Sequence, residues 1–371
     1  MPSSAGQPAQ PAMSFEAFTN AAPDSLYWYD RLPGDGFSVC AIPQSPSIEH
    51  LRDALLATSE PSTADIDLLA AFLLGHEHIP AQHERWKALT QHLSRCMAAQ
   101  LTSDGNRPLR MRTQRLHYYI EALIADAPSV QDHQCFVGER NLEAMKPWDY
   151  VEHRGCEWWI SSGSPNIYCD NGRQLLHWNL GLPTQLDPLP DGRLCAGSIY
   201  SNGASIHERG QWVTLNHDQP VPLVFWHNAR LYFIDHLGNL WCDEPRQFIA
   251  RVPCKQVHFA RYFEGTIYCL DNSDYGHITS FNVDRMVSVR HAVLPVQVCN
   301  DLAIVGQHCY LIDKQQGSVF KFDRTFRFLE QRLHFGRGQA RLLDPVSIRL
   351  NGDQLDVVSW LSQKLTRLRV F

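Results

Sequence analysis

The chain carries Leu231-Tyr232-Phe233-Ile234-Asp235 and then Gly238-Asn239-Leu240-Trp241, two short apolar strands joined by a turn that ends in glycine. The glycine supplies the positive φ that a tight hairpin turn needs. One unit therefore consists of an apolar strand, a small or acidic residue, a turn with glycine or a polar substitute, and a second apolar strand. The same unit recurs on both sides of this stretch.

The unit recurs about six times between Tyr150 and Phe371, and its first strands end 36 to 46 residues apart. This is the spacing of four-stranded propeller blades whose loops differ in length. The pattern predicts a mainly β protein, with a six-bladed β-propeller over residues 147–371 after an α-helical N-terminal region. The six first strands end at Ser162, Ser198, Asp235, Asp271, Asp313 and Ser359.

The N-terminal part has a different period. Residues 1–14 are rich in Pro, Ser and Ala and read as a disordered tail, and residues 15–146 form a mainly helical region. Helices are predicted from Ser62 to Gly75, from Pro80 through Met97 and from Pro108 to Asp126, with a weaker one after Ser47. We expect these helices to form a small bundle or to sit against the propeller.

The end of the chain predicts how the ring closes. If Phe371 ends the third strand of the sixth blade, that blade lacks its outermost strand and leaves an open sheet edge. We expect a strand upstream of the first blade, near 134–137, to pair with that edge.

Composition excludes some partners. Residues 149–371 carry 22 Lys and Arg against 22 Asp and Glu, which is not the basic footprint of a nucleic-acid binder.

No apolar run approaches the roughly 20 residues of a membrane helix. The first residues lack the features of a secretion signal, and the 11 cysteines have no disulfide-framework spacing. A cytoplasmic protein is predicted, with no membrane partner.

The final unit resembles an NHL repeat. It contains Phe335-Gly336-Arg337-Gly338, then Leu343-Asp344-Pro345, a turn at Asn351-Gly352-Asp353 and the terminal strand that ends in Phe371. The match covers about 37 residues at the motif level; the other five units keep only the strand and turn skeleton. The resemblance implies a six-bladed ring. Proteins of this kind include metal-dependent lyases and lactonases as well as binding platforms for proteins or RNA.

Candidate site residues follow from the geometry of a propeller, in which the inner strands and the loops leading into them converge on the axis. His and carboxylate side chains there could hold a divalent metal ion, with His258 the preferred single ligand. The alternative is that these groups cap turns and satisfy backbone atoms. The candidates are Asp187, His227, His258, Asn300, Asp301 and Asp344.

Two other polar clusters favour ordinary structural roles. The histidine-rich stretch from His76 to Glu84 lacks the His-Glu-x-x-His pattern, and Pro80 interrupts any helix that would align His76 with His83. The basic run from Arg107 to Arg115 is typical of the solvated face of an amphipathic helix, although an acidic partner or a phosphate could bind there.

Two functions remain open from the sequence. The first is a binding or accessory protein that recognises a protein, a peptide or a small molecule, within a biosynthetic or regulatory complex. The second is a metal-assisted lyase, hydrolase or isomerase with its site in the central channel. The sequence therefore leaves open whether the chain is an enzyme.

Overall fold

A computed structural model describes residues 27–31, 37–41, 48–58, 66, 69, 83–100, 113, 116–117, 120, 134–142, 147–169, 174–271, 274–296, 298–335, 339–360 and 362–371. The chain divides into two compact units, residues 1–126 and 127–371. The second unit thus begins before position 147, where the repeat pattern starts.

The first unit contains a two-stranded antiparallel sheet, β1 (Tyr27–Arg31) and β2 (Phe37–Ala41), and two helices, α1 (Ile48–Ala57) and α2 (His83–Gln100). Trp86 of α2 is fully buried, and the Arg52 guanidinium of α1 lies 5.3 Å from its ring centroid. The cores of the helices predicted from Ser62 and from Pro108, and the Arg107 to Arg115 run, lie largely outside the described residues, as do the tail and His76.

The second unit is a ring of six four-stranded antiparallel sheets, so the predicted mainly β, six-bladed architecture is confirmed. In each blade the inner strand is followed by three strands in order outward. Blades one to three comprise β4 (Pro147–His153), β5 (Cys156–Ser161), β6 (Asn166–Cys169) and β7 (Gln174–His177); β8 (Gln185–Pro188), β9 (Leu194–Gly197), β10 (Asn202–Glu208) and β11 (Gln211–Pro220); and β12 (Leu223–His227), β13 (Arg230–Ile234), β14 (Asn239–Cys242) and β15 (Gln247–Arg251).

Blades four to six follow the same plan, except that the last takes one strand from upstream. They comprise β16 (Val257–Phe263), β17 (Thr266–Asp271), β18 (Asp274–Asn282) and β19 (Val287–Ala292); β20 (Cys299–Val305), β21 (His308–Asp313), β22 (Ser318–Asp323) and β23 (Phe328–Arg332); and β26 (Pro345–Asn351), β27 (Gln354–Ser359), β28 (Lys364–Arg369) and β3 (Phe136–Asn141). Two short parallel strands, β24 (His334–Phe335) and β25 (Arg341–Leu342), connect blades five and six.

The repeated apolar strand of the sequence is the second strand of each blade, and the acidic residue that ends it has a structural role. Asp235 closes β13, and its carboxylate accepts hydrogen bonds from the backbone N–H groups of Leu237 and Asn239 and from the Trp241 indole. Asp313 likewise accepts from the N–H groups of Gln315 and Gln316. The carboxylate therefore fixes the turn into the third strand.

The hydrophobic core lies between neighbouring blades. Five buried clusters alternate with the sheets around the ring, each built from the facing side chains of two blades. Between blades four and five, for example, Phe259 and Leu270 pack with Leu302, Leu311 and Phe320. The inner strands of blades three to five are thus packed on both faces.

The ring is closed by β3, which pairs antiparallel with β28 from Phe136 opposite Leu368 to Asn141 opposite Lys364. Cys135 and Phe136 join the buried cluster that contains Leu368, and Lys364 donates to Glu139 at 2.8 Å. The sixth sheet therefore consists of segments from both ends of the second unit.

Among the helices that the structure describes, none has both the length and the apolar character needed to cross a membrane.

Candidate functional site: the propeller axis

Five charged side chains from the inner strands meet on the propeller axis: Asp149, Asp187, Arg261, Asp301 and Arg349. We call them the axial charge network. They come from blades one, two, four, five and six, and none has more than 14% of its side chain exposed. Charged groups at such depth require partners, because removing them from water costs several kcal/mol each when they are unpaired.

Arg349 spans two carboxylates. Its Nε and Nη2 both bind Asp149, the former at 3.2 Å, and its Nη1 lies 3.3 Å from Asp187 Oδ1. The Nη2 group also donates to the Leu186 carbonyl at 2.6 Å. The planar guanidinium matches a carboxylate in two-point contact, so this one side chain of blade six binds both blade one and blade two.

Arg261 makes the corresponding contacts from blade four. Its Nε and Nη2 bind the two oxygens of Asp301 at 3.2 and 2.8 Å, and its Nη1 donates to Asp187 Oδ1 at 2.9 Å. Asp187 of blade two thus accepts from both guanidinium groups. The two arginines and three carboxylates form one continuous network across the channel.

Neutral groups complete the network. Asp149 accepts from the Ser347 hydroxyl at 2.6 Å and from the Leu186 N–H at 2.8 Å. Asp301 accepts from the Ile348 N–H at 3.0 Å. Gln185 donates to Asp187 at 2.6 Å and to the Ala260 carbonyl at 2.8 Å. Each contact runs between blades or along one inner strand, which fixes the side chains in one arrangement.

The carboxylates differ in their acid strength. Burial alone would raise the pKa of Asp149, but the guanidinium groups of Arg349 and Arg261 hold it below its ordinary value. For Asp301 burial prevails over the same two arginines, and the pKa of that carboxyl lies above its ordinary value. The pKa of Arg349 is raised by Asp149, Asp187 and Asp301 against the opposing effect of burial, so this side chain stays charged.

The axial charge network lies between two cavities. The entry cavity, where the inner strands begin, has about 20 Å³, room for about one water molecule. The central cavity, where the inner strands end, has about 450 Å³. Asp187, Arg261 and Arg349 form its floor. Every blade contributes to its lining, for example through Glu152, Asp187, Phe225, Tyr262, Ile304 and Leu350.

The walls of the central cavity are mainly apolar and aromatic. Phe225 of blade three stacks on Tyr262 of blade four, with ring centroids 4.4 Å apart. Trp226 and Phe263 extend this wall toward the opening. Blade three contributes no charge to the network, and its inner strand supplies aromatic rings at that position instead. The cavity therefore combines a charged floor with an apolar side wall.

The opening carries two acidic side chains. Glu152 accepts a hydrogen bond from the neutral amide of Asn351 at 2.7 Å. Glu264 lies 3.4 Å from Nη2 of Arg324, whose guanidinium also stacks 4.6 Å from the ring of Phe263. One of the two rim carboxylates is thus paired with a cation, and the other with a neutral group.

The candidates expected from the sequence fall into different places. His258, Asn300 and Asp301 line the entry cavity, where the Asn300 amide donates to the Val346 carbonyl at 2.7 Å. Asp187 lies on the floor of the central cavity. The structure thus brings four of the six residues to the two sides of one charge network.

His227 and Asp344 line neither cavity. The His227 ring lies at the end of β12, 2.8 Å from the Tyr262 hydroxyl and 2.9 Å from Asp284 Oδ1. Asp344 is buried, with its carboxylate 3.8 Å from Lys314 Nζ, and its backbone carbonyl accepts from the Trp360 N–H. Both side chains therefore have partners away from the two cavities.

Within the described part of the chain, no group of three or more His, Cys, Asp and Glu side chains is arranged to hold a metal ion. Asp187 and Asp301 share their oxygens with arginines. A metal site that includes His258 stays a prediction.

Asp149, Arg261 and Arg349 are not among the site residues predicted from the sequence. Each is a charged residue inside an otherwise apolar inner strand, as in Asp149-Tyr150-Val151 and Ile348-Arg349-Leu350. A charged residue interrupts the apolar pattern of the inner strand in blades one, four, five and six, and both signs of charge occur. This interruption is the signal that the sequence offers. The register of the strands was needed to show that the five side chains meet.

The chain matches no protein-family model, and no curated protein is similar to it at the sequence level. Solved structures with a similar arrangement include the computationally designed Ika8 protein, with 12% identity over 60% of this chain and 70% of that one and a TM-score of 0.41. A chain of the mitotic checkpoint complex has 11% identity over 67% and 97%, with a TM-score of 0.46. An auxiliary nutrient binding protein from Bacteroides ovatus has 10% identity over 63% and 69%, also at 0.46.

Proposed function

We propose that the chain is a binding protein whose central cavity takes up a ligand, either a small molecule or a side chain of a partner protein or peptide. The observation that carries this proposal is the cavity of about 450 Å³, which all six inner strands line. Its volume lies within the range of small-molecule sites, and its mainly apolar wall with a few converging polar groups is typical of them.

The state of the ionisable groups supports binding rather than the metal-assisted reaction that the sequence left open. The three carboxylates and two guanidiniums of the axial charge network bind one another at 2.5 to 3.3 Å. Asp187, Arg261 and Arg349, which line the central cavity, are positioned to recognise polar atoms of a ligand. In this proposal the chain acts as an accessory or recognition component of a biosynthetic or regulatory complex.

We further propose that the ring is of the NHL type and works in the cytoplasm. The final repeat supports the first assignment through Phe335 and through the terminal strand β28, Lys364–Arg369, although Gly336-Arg337-Gly338 lies outside the described residues. None of the ten cysteines with a described environment is in a disulfide bond, which supports the second, since thiols persist in reducing compartments.

A fragment screen by ligand-observed NMR tests the binding proposal. Leu350 lines the cavity with 43% of its surface exposed, so Leu350→Trp should narrow the cavity with little loss of packing. Leu329 on the outer strand β23 is 44% exposed and provides the matched control Leu329→Trp. We expect fragments that bind the wild type and Leu329→Trp but not Leu350→Trp. Failure of every fragment to distinguish the two variants would contradict the proposal.

A further inference from the structure

Two guanidinium groups on the floor of the central cavity each keep one N–H group without an acceptor. Nε and Nη2 of Arg261 bind Asp301, and Nε and Nη2 of Arg349 bind Asp149. The Nη1 atom of each arginine donates only to Asp187 Oδ1, at 2.9 and 3.3 Å. An Nη1 atom carries two hydrogens, so within the described part of the chain one N–H of each Nη1 lacks an acceptor.

These unused N–H groups belong to the nitrogens on the side of the central cavity. Asp187, which both Nη1 atoms bind, lines the central cavity, whereas Asp149 and Asp301, which the other nitrogens bind, line the entry cavity. Asp187 also accepts from Gln185 at Oδ2, so three of its about four lone-pair positions are filled. The floor therefore offers two donors and one acceptor in a single cluster.

A charged head group would meet a group of its own sign on this floor. An ammonium group would lie beside the two guanidinium groups, and a carboxylate would lie beside Asp187 and below Glu152 of the rim. An uncharged group avoids both repulsions and costs less to remove from water. The cluster therefore favours an uncharged head group that both accepts and donates hydrogen bonds.

The chain itself already places one uncharged group of this kind against Asp187. The carboxamide of Gln185 donates to Oδ2 at 2.6 Å and to the Ala260 carbonyl at 2.8 Å. A hydroxyl or a carboxamide of a ligand would use the remaining position of the carboxylate in the same way.

Apolar surface adjoins the polar cluster. Each of the three floor residues is followed along its strand by an apolar or aromatic residue that lines the cavity and is at least partly exposed. These residues are Pro188, Tyr262 and Leu350, the last with 43% of its surface exposed. A ligand with a compact polar head and an apolar body would contact the cluster and these side chains together.

We propose that the central cavity binds a small uncharged ligand whose head group, a hydroxyl or a primary carboxamide, accepts from Nη1 of Arg261 and Arg349 and donates to Asp187. The apolar body of the ligand packs against Pro188, Tyr262 and Leu350. This inference rests on the proposed binding function and specifies the chemical class of its ligand.

The test compares five probes that share a phenyl ring and differ in the head group. 2-Phenylacetamide and 2-phenylethanol are uncharged and both donate and accept hydrogen bonds. Phenylacetate is an anion and 2-phenylethylamine a cation near neutral pH, and ethylbenzene has no polar head. Affinities are measured by ligand-observed NMR titration on the full chain.

We expect the amide or the alcohol to bind about tenfold more tightly than either ion, and also more tightly than ethylbenzene, which leaves the floor without partners. The tighter of the two identifies the head group. Binding of an ion or of ethylbenzene that equals or exceeds that of both the amide and the alcohol would overturn the inference. The absence of binding by the amide and the alcohol would overturn it too.

Two variants test the part of Asp187 in this selectivity. Asp187→Asn keeps the shape, removes the negative charge and leaves both guanidinium groups in place, so phenylacetate should then bind at least as tightly as 2-phenylacetamide. Asp323→Asn, in the outer hairpin of blade five, changes the net charge equally and should keep the wild-type ranking. The wild-type ranking in Asp187→Asn as well would contradict the role of Asp187.

The ranking of the five probes on the wild type decides the inference if Asp187→Asn does not fold. If other fragments distinguish Leu350→Trp from Leu329→Trp while neither the amide nor the alcohol binds, the binding function stands and the ligand class is wrong.

Discussion

At the scale of single residues, Arg349 links positions that are far apart in the sequence. It binds Asp149, 200 residues away, and Asp187, 162 residues away. The pairing joins the last blade to the first two. A network of this kind makes the geometry of the axis specific, although its net contribution to stability is smaller than its Coulomb attraction because both partners lost their hydration.

Removal of Arg349 should show how much the stability of the fold depends on the axial charge network. Arg349→Met keeps much of the side-chain volume but leaves Asp149 buried beside a single, more distant guanidinium, so we expect a loss of about 3–5 kcal/mol in the free energy of unfolding. Arg327→Met, at an exposed position in blade five, should change it by no more than about 0.5 kcal/mol. Urea unfolding of both variants measures the difference; equal midpoints would show that the network is not structural.

The loss of folding stability at acidic pH should depend on Asp149. Its pKa in the folded chain lies below the ordinary value, so its charged form stabilises the fold at higher pH and this contribution is lost as the pH falls below about 4. Asp149→Asn should flatten the loss of stability in acid. Asp301→Asn should steepen it, since the pKa of Asp301 is raised on folding. Urea midpoints measured across acidic pH check both signs, and parallel curves for all three proteins would contradict this assignment.

At the scale of elements, two turns of blade five show how much a glycine in the sequence reveals about its surroundings in the fold. Gly306 and Gly317 lie in successive turns of blade five, with φ of +56° and +58°. A Cβ on Gly306 would meet nothing within 4 Å, whereas a Cβ on Gly317 would lie 2.5 Å from the Leu342 carbonyl oxygen and 2.6 Å from Phe335 Cα. The sequence predicts the same role in a turn for both glycines, and only the packing of the ring distinguishes them.

This pair makes a matched test. Gly306→Ala should cost about 1–2 kcal/mol, which is the price of a left-handed conformation for a residue with a Cβ. Gly317→Ala should cost at least about 1 kcal/mol more, because the backbone of the connection to blade six would have to move. Thermal and urea unfolding of the two variants give the comparison. A smaller effect at Gly317 than at Gly306 would contradict the described approach of blades five and six.

The closing strand β3 is the element on which the ring depends. Deletion of residues 130–140 would expose the edge of β28 and the buried face of Leu368, so we expect the loss of a single cooperative unfolding transition. A peptide that spans residues 130–142 should restore it by pairing with β28. An unchanged melting curve after the deletion would show that the ring does not require this strand.

At the scale of the whole molecule, the propeller could be predicted because each second strand repeats a local pattern, such as Leu231 to Asp235, at blade-sized intervals. The axial site could be predicted only in part. Asp187 and Asp301 were candidates because they lie near the start of inner strands. Arg261 and Arg349 were not, since a charge within an apolar strand acquires meaning only when the ring brings it opposite another.

The role of the inner strand of blade three could not be predicted from the sequence either. Phe225 and Trp226 belong to a stretch that was expected at the axis, but nothing local distinguishes a cavity wall from a core. His227, next in the strand, was expected near the axis and instead contacts Asp284 in the turn after β18. Whether a residue at the end of a strand faces the axis or a neighbouring blade depends on the strand register, which the sequence pattern does not specify.

Isothermal titration calorimetry tests the central claim, that the cavity on the axis is the binding site. With the tightest-binding fragment, we predict one site per wild-type chain and a binding enthalpy that becomes more favourable on warming, because apolar surface is buried. Leu329→Trp should reproduce that result, and Leu350→Trp should abolish the heat of binding. Equal heats for Leu350→Trp and the wild type would place the ligand outside the cavity and contradict the account.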